Sequence, residues 1–145
     1  MPTKPTETFS EVEKEAMRNR AKELRAEAKS SKNREQGEKD IQAAIAAMKE
    51  PDQILAKRIH QLVTTTAPEL FPKTWYGMPA YANNDGKVIC FFQAASKFEA
   101  RYASFGFNDS ANIDDGNMWA TAFALINLAS AEEDKIVKLV KKAVS

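Results

Sequence analysis

The chain holds one cysteine and one histidine, Cys90 and His60. A thiol and an imidazole make a nucleophilic pair only within hydrogen-bond reach, with a third group to orient the ring. Nothing in their spacing provides that. A Cys/His zinc site needs about four ligands, which one cysteine and one histidine do not supply. A single cysteine also excludes an intramolecular disulfide framework. Cys90 sits in Val88-Ile89-Cys90-Phe91-Phe92, where a thiol reads as a small buried hydrophobe with a raised pKa. His60 follows Ile59 and reads as a surface or core-edge histidine. The five glycines are scattered, so no glycine-rich phosphate loop is present. No residue is assigned a catalytic role, and the balance is against an enzyme.

Three other groups of residues have types suited to binding. The stretch Lys73-Thr74-Trp75-Tyr76-Gly77-Met78-Pro79-Ala80-Tyr81 concentrates aromatic and apolar side chains. Trp75, Tyr76, Met78 and Tyr81 could wall a small-ligand pocket, with Lys73 and Arg101 as polar handles for an anion. If the stretch is one strand, Trp75, Gly77 and Pro79 share one face and Tyr76, Met78 and Ala80 the other. The competing reading makes one set core and Gly77-Met78-Pro79 a bulge. The acids Asp109, Asp114 and Asp115, with Glu132 and Glu133, offer the oxygen ligands that hard cations prefer. Solvation and helix capping are the alternative use for such acids. Finally, Lys14, Arg18, Lys22, Arg25 and Lys29 step by four, four, three and four, which places them on one helical face. Like charges at that spacing cost stability, which leaves a motive for an anionic partner, either nucleic acid or acidic protein.

The elements that must position these residues follow from periodicity. From Glu11 to Asp40 the chain alternates acids and bases and favours helix. Ser10 and Glu13 read as a capping box with Phe9 as its staple. Met17, Ala21, Leu24 and Ala28 form a narrow apolar stripe. Ser30 to Asn33 and Gln36-Gly37 read as a flexible link. This divides the chain into a charged helical extension, 1–37, and a compact domain, 38–145. In that domain Ile41, Ala44, Ile45 and Met48 give helical spacing, broken at Pro51. A second helix runs from Asp52 to Thr66. Trp75 to Ala82 reads as a strand that Pro79 confines to an edge or a bulge. Asn83-Asn84-Asp85-Gly86 signals a hairpin turn, and Lys87 to Gln93 a strand covered on both faces. Phe98 to Phe105 and Trp119 to Ile126 are further strands around a polar loop, Asn108 to Asn117. Ser130 with Glu133 opens a last helix whose acids lead and whose lysines trail, which suits the macrodipole. Strands grouped between helices predict an α+β fold, with an antiparallel sheet of about four or more strands packed against N- and C-terminal helices.

The Trp-Tyr-Gly-Met-Pro element, the turn after it and the Val88 to Phe92 strand resemble the YdhG-like family of bacterial proteins. The resemblance continues through Arg101-Tyr102 and Gly106-Phe107 to the lysine-rich last helix, covering roughly Ile54 to Val144. It implies a frataxin-like fold and an iron-chaperone type of role, with iron as the one metal it suggests. Frataxin carries acids along its first helix, whereas the helix from Asp52 to Thr66 here has Asp52 alone.

Net charge is +1, which gives no global electrostatic case for nucleic acid. No apolar run approaches the roughly 20 residues that span a bilayer, so no membrane partner is expected and the cytoplasm is the expected location. The leading expectation is a non-catalytic binding protein for a metal ion, small ligand or protein partner. An interaction module built on the basic helix and an enzyme with a pocket at the Trp-Tyr-Gly-Met-Pro strand are the alternatives.

Overall fold

The computed structural model describes residues 11–32 and 34–145. Among the described residues four α-helices, α1 (Glu11–Lys32), α2 (Arg34–Ala46), α3 (Asp52–Thr66) and α4 (Ser130–Val144), frame five strands. These are β1 (Phe71–Trp75), β2 (Met78–Ala82), β3 (Val88–Gln93), β4 (Ala103–Phe107) and β5 (Ala122–Leu125). All neighbours are antiparallel and the order is sequential, β1-β2-β3-β4-β5. The α+β expectation therefore holds.

One core organises the chain. Tyr81, Cys90, Phe92, Phe105, Phe107 and Leu125 from the sheet meet Ile41 and Ile45 of α2, Ile59 and Val63 of α3, and Ile136 and Val140 of α4. The two residues named from each helix stand four positions apart, so each helix buries one stripe. Arg58 of α3 grips Glu133 of α4 through two bonds, Nε to Oε2 at 2.6 Å and Nη2 to Oε1 at 2.7 Å. Asp52 ties the start of α3 to the 3₁₀ turn Ala95–Phe98, accepting from the Ala95 and Ser96 amides and from the Ser96 hydroxyl.

Several expectations need correction. The stretch from Trp75 to Ala82 is two strands, because Tyr76 and Gly77 form a two-residue turn with φ of 50° and 77°. Positive φ at both central residues is the hairpin geometry that matches strand twist. Trp75 therefore pairs with Met78, and the two share a face. Pro79 lies in an interior strand rather than an edge. The β2–β3 ladder begins at Ala80, just after the proline, so its missing N–H interrupts no bond there. The third strand starts at Ala103, since Phe98 closes a 3₁₀ turn and Glu99 turns left-handed at φ 53°. Gly106 lies in β4, where a Cβ would come within 2.4 Å of the Phe91 ring. The last helix is capped one residue earlier than expected: Glu132 Oε1 accepts from the Ala129 amide. Phe9 and Ser10 lie outside the described residues.

Gln36 and Gly37 are helical, not a linker. Gly37 is buried, and a Cβ there would stand 1.8 Å from the Pro72 carbonyl oxygen. Backbone against backbone at that distance admits no side chain. Arg34, one turn earlier, donates to the carbonyls of Pro68, Glu69 and Leu70 and stacks on Phe71 at 4.3 Å. The start of α2 is thus fastened to the strand that opens the sheet.

Candidate functional site

The reactive side chains are inside. Cys90 is fully buried and its thiol is pushed far up by desolvation. His60 is not on the surface: it occupies the buried stripe of α3 and bridges two elements. Its Nε2 lies 2.8 and 2.9 Å from the Glu38 carboxylate oxygens, and its Nδ1 lies 2.9 Å from the Tyr81 hydroxyl. An ionised carboxylate only accepts, so Nε2 carries the proton facing Glu38. With a neutral ring, Nδ1 then accepts from the Tyr81 O–H. Burial pushes the Tyr81 phenol well up, with Cys90 and Glu38 adding to the effect. Glu38 stands on the wall of an open cleft of about 440 Å³ with Arg34, Thr64, Leu70 and Pro72. The Tyr81 end of this chain is closed, with 1% of the residue exposed. No substrate reaches the phenol or the thiol, so the chain clamps α2, α3 and β2 together.

The sequence reading missed Glu38. Glu38, His60 and Tyr81 follow one another at 22 and 21 positions, and no local pattern joins them. One signal was available: Ala56, Ile59, His60 and Val63 fall at i, i+3, i+4 and i+7, which puts the imidazole among buried positions.

The residues of the proposed aromatic pocket come together only in part: Trp75, Tyr76 and Met78 meet at the β1–β2 turn, and Tyr81 and Arg101 do not join them. Trp75 packs on Tyr76 and Phe91, with ring centroids 5.1 and 5.2 Å apart. Tyr81 belongs to the opposite side of the sheet, toward His60. Lys73 is 2% exposed and reaches the Gly86 carbonyl, and Met78 is buried. Arg101 is exposed and lies over the Tyr102 ring.

The acids do not converge. Asp109, Asp114 and Asp115 are exposed, Glu132 caps α4, and Glu133 holds Arg58. The hydrogen bonds and charge of Arg58 keep the Glu133 carboxyl below its ordinary range. Among the described residues no three His, Cys, Asp or Glu side chains gather as a metal-binding group.

Exposed basic side chains collect on α1. Arg20 of α1 stacks on the Tyr76 ring at 4.6 Å, and Glu23 pairs with Arg20 at 3.6 Å. Tyr76 holds a left-handed conformation that costs an L-residue about 1–2 kcal/mol. The Arg20 guanidinium on its ring and the Lys97 ammonium on its carbonyl secure it there. The pair Arg20 and Glu23 is partly covered, and on a helical wheel it lies opposite Arg18, Lys22 and Arg25, which are exposed. Lys14 is half-buried and pairs loosely with Glu11 at 3.8 Å. Lys29 falls where the side chains lie outside the described residues. Between the two sides run Met17 and Leu24, 46% and 51% exposed.

Comparison with models of protein families, with curated proteins and with solved structures finds no match to this chain. Among the described residues no helix is long and apolar enough to cross a membrane.

Proposed function

We propose that this chain is a non-enzymatic binding protein of the YdhG-like type, and that α1 is its recognition element for an acidic protein partner. One observation carries the reading. Helix α1 rests on the sheet through Arg20, yet it leaves Met17 and Leu24 half-exposed beside Arg18, Lys22 and Arg25. A helix that lays an apolar stripe into a groove, with charges along the rim, is a recurrent recognition mode. The apolar stripe favours protein over nucleic acid, because phosphate contacts alone would not call for it.

The test uses fluorescence anisotropy with the full chain and two labelled probes, an acidic amphipathic helical peptide and a single-stranded RNA. Reversing Arg18, Lys22 and Arg25 to Glu is expected to weaken peptide binding at least about tenfold, roughly 1.4 kcal/mol. Changing Met17 and Leu24 to Ser is expected to weaken it further, with the thermal midpoint unchanged. Equal binding by all variants would overturn the proposal. Binding of RNA alone, with steep salt dependence, would hand the helix to nucleic acid instead.

A further inference from the structure

A second cavity, of about 350 Å³, opens at the corner where α2 ends and β2 begins. Core side chains make its floor: Phe92 is fully buried, Met78 is buried, and Met48 packs against the core cluster. The space exists because Ala44, Ala47 and Gly77 stand on its walls and fill little of it. Two lysines, Lys49 and Lys97, line it, and no acid does. Other clefts of this chain are mixed in charge. Glu35 and Glu38 join Arg34 in the one beside the clamp, and Glu132 joins Lys135 in a groove between β5 and α4.

Both ammonium groups have donors to spare. Lys49 is exposed, and among the described residues no side chain pairs with it. Lys97 donates to the Tyr76 carbonyl, and an ammonium carries three donors. A Cβ at Gly77 would stand 3.2 Å from the Lys97 Nζ, so glycine there leaves that ammonium facing open space. Asp52 reaches the rim at Ser96, but it is buried and its oxygens accept from Ala95 and Ser96, not from the lysines. We infer that this cavity binds a small amphiphilic anion, a carboxylate or phosphate head on a short apolar tail. The tail lies on Met48, Met78 and Phe92, and the head meets Lys49 and Lys97. Ligand pockets combine apolar walls with a few polar groups that fix orientation, and this one is near the lower end of their range of about 300–1,000 Å³, which suits a short tail. Thioether side chains adapt to a flexible chain. A neutral apolar molecule would leave the lysines unanswered, and a bare anion would leave the floor uncovered.

The experiment is methionine methyl NMR on the full chain, titrated separately with octanoate, octyl phosphate, octanol and inorganic phosphate. Saturable shifts of the Met48 and Met78 methyls are expected with octanoate or octyl phosphate. Met17 and Met118, which are exposed elsewhere, should stay where they are, and octanol and inorganic phosphate should have little effect. Whichever amphiphile binds more tightly names the head group. Lys49→Glu alters an exposed, unpaired side chain, so it should keep the thermal midpoint. It should raise the dissociation constant about tenfold, because it removes one charge contact and adds a repulsion. The inference is overturned if neither amphiphile saturates the two methyls or if octanol moves them as octanoate does. It is equally overturned if Met17 and Met118 respond alongside, or if Lys49→Glu binds like the wild type.

Discussion

The two edges of this sheet are finished in opposite ways. β1 is bordered by α1 and α2, with Arg34 spread over three successive carbonyls and Phe71, Gly37 pressed on Pro72, and Arg20 laid on Tyr76 at the turn. β5 is four residues long, uncharged, and flanked by exposed Met118, Trp119 and Ile126. The contrast teaches how differently the fold holds its two edges. The residues that close the β1 edge are positioned by contacts that tolerate little change. Exposed Met118, Trp119 and Ile126 at the β5 edge make few demands on the fold.

Substitutions can break that contrast, beginning at the closed edge. Gly37→Ala puts a methyl into the Pro72 carbonyl, which α2 can relieve only by moving off β1. A loss of about 3 kcal/mol is expected, read as a shifted urea midpoint with little change in slope. Arg34→Ala removes three charge-assisted bonds to backbone and the stacking on Phe71. About 2 kcal/mol should go, and a Lys replacement should recover only part of it, because an ammonium lacks the planar fork.

Acid gives a reference point between the edges. Desolvation is the largest influence on Asp52 and raises its pKa, but the Ser96 amide, the Ser96 hydroxyl and the Ala95 amide together outweigh it and hold the carboxyl below its ordinary range. A depressed carboxylate stabilises the fold above its unfolded pKa of about 4 and loses that contribution as pH falls through the folded value. Denaturation midpoints should therefore decline below about pH 4, and Asp52→Asn should shrink that decline relative to the wild type.

The smallest effects should separate the two edges most clearly. Arg20→Ala removes a partly exposed cation–π contact, so about 0.5–1 kcal/mol is expected, together with a looser α1 by amide exchange. Ile126→Ser at the open edge should change monomer stability by no more than about 0.5 kcal/mol, measured in dilute solution. A cost at Ile126 above that at Arg20 would reverse the contrast.

Much of the fold was legible because local signals agreed. The run from Asp52 to Thr66 has one apolar stripe and a proline at each end, and it is a helix with those limits. Asn83 to Gly86 forms the expected turn, with Asn83 Oδ1 accepting from the Asp85 and Lys87 amides. What misled was chemistry that reads two ways. Tyr76 is a strand former by type, yet its neighbour Gly77 makes a turn possible at that spot, and tertiary contacts from Arg20 and Lys97 settle the conformation. Gly37 reads as a breaker in a charged helix, yet it is there because β1 approaches too closely for any side chain. The candidate surfaces divide similarly. The basic face of α1 could be counted from spacing. The clamp of Glu38, His60 and Tyr81 could not, because its members meet only after three elements have packed.

The most direct measurement is residue-resolved hydrogen exchange on the full chain in dilute solution, comparing the edge strands. The amides of β1, held under α1 and α2, should exchange slowly, and the outward amides of β5 fast. Equal protection of both edges in dilute solution, or faster exchange at β1 than at β5, would contradict it.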